Sequence, residues 1–289
     1  MNVLSLFDGM SCGQIALNRA GIKYDKYFAS EIDKPAIKVT MANYPETIQL
    51  GSVTEVKAEN LPKIDLLSGG SPCQGFSFSG RQLNFDDPRS ALFFEYVRLL
   101  KECKPKYFLL ENVRMKKEYQ DVISEHVGVE PIEIDSSLLS AQNRRRLYWT
   151  NIPVTLDIKN KELTLKDVVK DMAHHKITIK HPETIRRTKN YAQYDQSLKG
   201  HDSQDQRFFY LSGKSGTITT SRSSVPKVET AEGIIVLNPE EVEALQTVPE
   251  GYTSMVERKY RYSMLGNGWT VDVIAHIFNG LRERNPLGL

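Results

Sequence analysis

The sequence predicts an α/β protein: a doubly wound, largely parallel sheet with helices on both faces, and a second, smaller lobe. Three observations predict it. Strand-like and helix-like segments alternate through the first half of the chain. The apolar runs stop abruptly at glycine- or acid-bearing turns, as strand ends do. Near Asn151 the texture changes to a polar stretch with few long apolar runs, which reads as a separate lobe.

The elements follow in order. Residues 3–7 form a short apolar run ending at Asp8-Gly9, so a strand and tight turn are expected, then a helix over 14–20. A second strand is expected over 27–30 and a second helix over 35–43. Residues 64–68 are apolar and stop at Gly69-Gly70-Ser71-Pro72. Residues 91–102 place Leu92, Tyr96, Leu99 and Leu100 on one helical face. Residues 107–110 read as a buried strand followed by Glu111-Asn112, and 131–134 and 147–150 as later strands. Asn238-Pro239-Glu240-Glu241 is a strong helix start: an Asn cap, Pro at the first position and acids in the first turn. A last helix is expected over about 271–284. The boundaries read as one domain over 1–152 and 235–289, with a small domain over 153–234.

Composition narrows the function classes. With 40% hydrophobic and 26% charged residues, the 289-residue chain has the balance of a globular protein rather than a disordered one. The 38 basic and 36 acidic residues leave a formal charge of +2, which neither demands nor excludes nucleic acid; only a local patch speaks to that. A mean hydropathy of −0.41 and the lack of a long apolar run argue against a membrane partner. The first residues lack the basic start of a secretion signal. Cys12, Cys73 and Cys103 are an odd, sparse set suited to a reducing compartment, and none lies in a CxxC pair, so no metal is expected.

Two sites emerge at the predicted strand ends, where open α/β sheets bind ligands. In the first, Gly9 and Gly13 let the backbone turn sharply and approach a ligand. Glu31 follows the second strand, 23 residues after Asp8, where an acid can accept from both hydroxyls of a ribose. Ile32 beside it can pack on an adenine face. The loop has neither GxGxxG nor GK[ST] spacing, so a nucleoside cofactor without phosphates fits best; a plain strand-turn-helix with a surface acid explains the same residues about as well. In the second site, Cys73 sits in Ser71-Pro72-Cys73-Gln74-Gly75-Phe76-Ser77, near the carboxylate of Glu111 on the neighbouring turn. All six histidines lie from His126 onward, which weakens a cysteine hydrolase.

At these residues the chain resembles the DNA cytosine-5 methyltransferases, over nearly its whole length and in the family's motif order. Phe7-Asp8-Gly9 is similar to the cofactor loop, Glu31-Ile32-Asp33-Lys34 to the ribose segment, and Pro72–Ser77 to the nucleophile loop, with Arg89-Ser90-Ala91-Leu92-Phe93-Phe94-Glu95 as the helix after it. Glu111-Asn112-Val113 matches the catalytic glutamate motif, and Gln142-Asn143-Arg144-Arg145-Arg146 the Gln-x-Arg-x-Arg motif. Residues 239–249 resemble the late helix, and Gly266-Asn267-Gly268-Trp269-Thr270-Val271 the closing cofactor motif. Two departures stand out. Gly51-Ser52-Val53 occupies the motif that usually carries Asp, so Ser52 would meet the adenine amino group as a neutral acceptor. Gly268-Trp269, with the 92–100 stretch, looks more like the animal de novo methyltransferases.

The resemblance implies a Rossmann-like methyltransferase sheet with a small target-recognition lobe, and S-adenosylmethionine as methyl donor, leaving S-adenosylhomocysteine. It implies cofactor contacts from Phe7, Asp8, Gly9, Glu31, Ile32, Ser52, Val53, Pro72, Leu92, Asn267 and Trp269. Cys73 would be the nucleophile at carbon 6 of cytosine, Glu111 the acid at ring nitrogen 3, and Arg146 the partner of the base's carbonyl oxygen. Arg144 would either orient Glu111 or hold a phosphate. Gln74, Ser77, Arg81, Lys214 and Arg222 would contact duplex DNA, from which the target base is flipped. The expected setting is the cytoplasm of a bacterium or phage-infected host, in or near a restriction-modification system. An RNA (tRNA) cytosine-5 methyltransferase on the same scaffold and a non-catalytic DNA-binding relative are the alternatives; the presence of Cys73, Glu111 and Arg146 together disfavours the second.

Overall fold

The computed structural model describes residues 1–71, 88–169, 185–194, 207–221 and 225–282. They form two compact units: Met1–Ile134 with Arg145–Leu156 and Val273–Leu289, and Asp135–Arg144 with Asp157–Asp272.

The first unit holds β1 (Asn2–Leu6), α1 (Cys12–Arg19), β2 (Lys26–Ser30), α2 (Lys34–Asn43), β3 (Ile48–Gln49), β4 (Leu66–Gly69), α3 (Pro88–Cys103), β5 (Tyr107–Val113), α4 (Lys117–Val127), β6 (Ile132–Asp135) and β7 (Arg145–Thr150). Seven strands form one sheet in the order β3-β2-β1-β4-β5-β7-β6. The run from β3 to β5 is parallel, whereas β7 runs antiparallel to β5. Near-continuous burial along β1, β2, β4 and β5 is what a sheet covered on both faces requires. The core gathers Leu4, Leu67, Tyr96, Leu110, Ile123 and Trp149. The expected Rossmann-like sheet is present, with one antiparallel strand added.

Two elements of this unit go beyond the sequence expectation. β3 has only two residues, too few to register as a period. α4 carries the helical spacing Tyr119, Ile123 and Val127 among polar neighbours, and closes on Gly128 at φ +80°, the left-handed residue that ends many helices.

The second unit holds α5 (Leu165–Val168), β8 (Ile185–Arg187), β9 (Tyr191–Tyr194), β10 (Arg207–Tyr210), β11 (Lys227–Glu229), β12 (Ile234–Val236), α6 (Pro239–Leu245) and α7 (Arg258–Asn267). Its five strands run β12-β11-β10-β9-β8 around Ala192, Phe208 and Ile234. α6 starts as its sequence dictates. The Asn238 side chain accepts from the Glu241 amide at 2.9 Å, and Glu241 accepts from the Asn238 amide at 2.8 Å.

The contact division differs from the boundary expected at 235, since residues up to 272 belong with 135–144. The reason is a buried polar knot. Gln142 Nε2 donates to Leu245 O and Gln246 Oε1 at 3.2 Å, Gln246 Nε2 to Leu265 O at 2.6 Å, and Thr270 Oγ1 to Gln246 Oε1 at 2.9 Å. The last helix, α8 (Val271–Asn279), is shorter than the expected 271–284. At Gly280 an added Cβ would fall 1.9 Å from the Pro153 carbonyl oxygen, so only glycine fits where the helix stops.

Candidate active site

Strand register aligns the candidate residues of the first unit. Leu6 lies opposite Ser30 and Gly69, and Gly69 opposite Leu110. Glu31, Phe7, Gly70 and Glu111 therefore follow in one row along the carboxyl edge of four parallel strands. At about 4.8 Å per strand, the row spans about 15 Å from β2 to β5.

The loop after β1 is sharply bent. Phe7, Gly9 and Ser11 take φ values of +56°, +60° and +65°, a conformation that costs non-glycine residues energy and concentrates at functional sites. Gly9 donates its amide to Glu31 Oε2 at 2.8 Å, and Glu31 Oε1 accepts the amides of Ile32 (2.7 Å) and Asp33 (2.8 Å). Three backbone donors thus fix the carboxylate, whose two oxygens offer about four lone-pair sites, so capacity for a hydroxyl remains. Ile32 is 72% exposed, an apolar side chain held in the open beside that carboxylate.

Asp8 points inward. Tyr27 donates its hydroxyl to Asp8 Oδ1 at 2.7 Å. Burial pushes the Asp8 carboxyl up to about 6, against the lowering pull of Ser5, Ser11 and Tyr27, with the Glu31 charge adding to the rise. Burial also drives Tyr27 well above the usual phenol range, so it stays a proton donor. Sequence reasoning missed Tyr27; its hydroxyl inside an apolar strand was the signal.

The turn after β3 begins at Gly51, φ +73°. Ser52 caps a 3-10 turn over Val53–Glu55, and its Oγ lies 2.8 Å from Thr54 Oγ1. Val53 is buried in the core and Leu92 packs at its margin, so any ligand contact from Val53 runs through its backbone. An added Cβ at Gly9 or Gly51 would meet nothing within 4 Å. Open space at both turns, an oriented acid and an exposed apolar side chain suit a nucleoside with ribose hydroxyls, so the residues present fit S-adenosylmethionine.

On the β5 side, Glu111 is buried and forms an ion pair with Arg146, Oε1 to Nε 3.0 Å. The register explains it. Arg146 lies opposite Val113 and Tyr148 opposite Glu111, so Glu111 and Arg146 share a sheet face as a diagonal cross-strand pair. Asn112 Nδ2 donates to Ser71 Oγ at 3.2 Å, tying the chain leaving β4 to the end of β5. Pro72, Cys73, Gln74, Ser77, Arg81 and Arg222 lie outside the described residues.

In the second unit the structure gives two expected contact residues other tasks. Arg144 is buried and donates to the carbonyls of Ile218 (2.9 Å), Gly266 (3.2 Å) and Gly268 (3.0 Å), where both a Glu111 contact and a phosphate contact had been open. Lys214 donates to the carbonyls of Ser140 (2.9 Å) and Leu163 rather than standing free for phosphate, and partial burial lowers its pKa. Their partners lie 51 to 124 residues away, beyond the reach of local sequence reading. Asn267 is exposed at the end of α7, and Trp269 is half-buried.

A model for the C-5 cytosine-specific DNA methylase family matches residues 1–127 and 135–283. The chain belongs to that family. Its members are S-adenosylmethionine-dependent methyltransferases. The chain is 40% identical over 185 residues to the orphan methyltransferase M.SPRI of Bacillus phage SPR, covering 60% of this chain and 42% of that protein. It is 37% identical over 157 residues to the type II methyltransferase M1.ScrFI of Lactococcus lactis subsp. cremoris, covering 50% and 40%. The matches thus span about two-fifths of the length of these relatives. Among solved structures, a putative DNA modification methyltransferase of an E. coli prophage superposes with a TM-score of 0.69 at 21% identity over 98% of this chain and 99% of the other. The S. pombe Dnmt2 methyltransferase gives 0.73 at 19% identity over 100% of both. At those identities the likeness shows the fold. Among the described residues no helix is long and apolar enough to cross a membrane, and no cluster of three or more His, Cys, Asp or Glu is placed to hold a metal ion.

Proposed function

We propose that this chain is a DNA cytosine-5 methyltransferase that methylates carbon 5 of a cytosine flipped out of duplex DNA, working in the cytoplasm of a bacterium or phage-infected host. The observation that carries the reading is the buried Glu111–Arg146 pair. It lies in the same strand-end row as Glu31, beside the Ser71–Asn112 tether that leads into Pro72-Cys73.

Carbon 5 of cytosine is a poor nucleophile. The Cys73 thiolate adds to carbon 6, and the ring's double-bond electrons move toward carbon 5 and nitrogen 3. Glu111, assigned as the acid, hands a proton to nitrogen 3 and relieves that charge, leaving its carboxylate in the ion pair with Arg146. Arg146 keeps the Glu111 carboxyl oriented through Nε and donates Nη1 to Arg145 O at 2.9 Å, and Nη2 is assigned to the base's carbonyl oxygen. When bound, S-adenosylmethionine supplies a methyl group on a positively charged sulfur, open to a carbon nucleophile. Glu31 and Ile32 hold its nucleoside end. Water acting as base takes the carbon 5 proton, those electrons re-form the carbon 5–carbon 6 double bond and expel the Cys73 thiolate, and nitrogen 3 returns its proton to Glu111. The target atom is out of reach inside a duplex, so the base must leave the stack.

Residues 153–234 are assigned to reading the DNA. Among the described residues there, Arg187 is already held by Glu229 through two bonds of 2.7 Å and Lys214 by carbonyls, which shifts the expected phosphate contacts toward Arg222 and the 74–81 segment. The test is transfer of labelled methyl from S-adenosylmethionine to duplex DNA and, separately, to tRNA. Transfer to DNA is expected, abolished by Cys73→Ala and lowered about 100-fold or more by Glu111→Gln. Methylation of tRNA alone, or undiminished transfer by Cys73→Ala, overturns the proposal.

A further inference from the structure

Arg98 lies on α3 and turns its guanidinium toward the 3-10 turn at Val53–Glu55. Nη2 donates to the carbonyl of Val53 at 3.3 Å and to that of Val56 at 3.0 Å. One turn back, Glu95 Oε2 accepts from Nε at 3.0 Å and Nη2 at 2.7 Å; one turn on, Glu102 Oε2 accepts from Nη1 at 2.8 Å. All three guanidinium nitrogens are engaged, and the two carboxylates aim the fork at the turn. An ion pair about a third exposed on one helix contributes little to stability. What the arrangement does provide is position, because its far end grips main-chain oxygens.

The gripped segment is one of the two at which the sequence departs from the motifs it resembles. Gly51-Ser52-Val53 stands in place of an acid-bearing motif, and Ser52 can offer the adenine amino group only a neutral, weaker acceptor. Ser52 Oγ accepts the Thr54 amide at 3.4 Å and lies 2.8 Å from Thr54 Oγ1; with Ser52 as the donor of that hydroxyl pair, one lone pair is left for the adenine. A weak contact counts only where it is held in place beforehand. Here the entry to the turn is fixed by Ser30, whose hydroxyl donates to Gly51 O at 2.8 Å, and the exit by Arg98.

We propose that Arg98 is a positioning residue for the cofactor, fixing the Gly51-Ser52-Val53 backbone so that the neutral Ser52 can hold the adenine. The inference rests on the S-adenosylmethionine reading above. It also gives α3, which follows the segment bearing Cys73 in the chain, a direct hold on the cofactor turn.

The test compares wild type, Arg98→Met and Arg98→Lys by calorimetric binding of S-adenosylhomocysteine, with KM for S-adenosylmethionine and kcat at saturation. Arg98→Met keeps an aliphatic stem and loses every donor. Arg98→Lys keeps the charge facing Glu95 and Glu102 but loses the planar guanidinium that carries Nη2 to both carbonyls while its other nitrogens hold the carboxylates. Binding is expected to weaken about tenfold in Arg98→Met and by less in Arg98→Lys, with KM raised in parallel and kcat at saturation unchanged. Adding Ser52→Asp to Arg98→Met is expected to recover most of the affinity, which a merely structural defect would not allow. Equal affinity in all three proteins, or a fall in kcat with KM unchanged, overturns the inference; where Arg98→Met does not fold, Arg98→Lys decides it in the same way. A wild-type chain that binds no S-adenosylhomocysteine overturns the cofactor reading and this inference with it.

Discussion

Asp8 carries a pH signature that follows from its position. Its folded pKa of about 6 stands above the ordinary 3.8 because burial disfavours the charged form. The folded state therefore holds this proton more tightly than the unfolded state. The stability Asp8 contributes is fully present below pH 4 and is lost as pH rises through 6. About two pH units correspond to about 3 kcal/mol at most. Asp8→Asn keeps an oxygen for the Tyr27 hydroxyl and removes the buried charge. Denaturant unfolding is expected to find it more stable than wild type at pH 8, with the advantage vanishing toward pH 4. A constant difference across that range contradicts the assignment. At this scale the sequence was legible where a polar residue directly follows an apolar run, as Glu31 and Glu111 do. It was silent on Arg144 and Lys214. Their acceptors are backbone carbonyls delivered by distant segments, and a carbonyl has no side-chain signature.

Among the elements, the early strands and helices could be read because β1, β2, β4 and β5 are buried along nearly their whole length and so appear as short, mainly apolar runs. β8 to β12 are only three or four residues long, too short for a strand period to register, so the lobe read only as polar texture. Its capped helix α6 was legible because its cap chemistry is local. The closing glycine motif has a packing cause that no period reveals. At Gly266 an added Cβ would sit 2.3 Å from the Thr219 carbonyl oxygen and 2.7 Å from the Thr220 amide nitrogen, both backbone atoms that cannot swing aside. Gly266→Ala must push that segment off α7 and disturb the Arg144 bonds to Gly266 and Ile218. A loss of about 1–3 kcal/mol is expected in denaturant unfolding, as for overpacked interiors. Unchanged stability would mean that the two segments do not approach as described.

At the scale of the whole molecule, a net charge of +2 gives no broad field to draw DNA in, so the DNA recognition proposed above rests on local groups. Chemistry is assigned to the strand-end row of the first unit, where Glu31, Phe7 and Glu111 align, and DNA reading to the lobe. The fold class was legible from alternation alone. The division of the chain was only partly so, because the knot of Gln142, Gln246 and Thr270 binds residues far apart in sequence. The central claim is a transient bond between the Cys73 sulfur and carbon 6 of the target base. A duplex carrying 5-fluorocytosine at the target position blocks the final proton loss and leaves that bond in place. After incubation with S-adenosylmethionine, mass spectrometry of the digested protein is expected to find the oligonucleotide attached at Cys73. Turnover on ordinary duplex DNA with no conjugate on the fluorinated duplex, or a conjugate at another residue, would contradict the account.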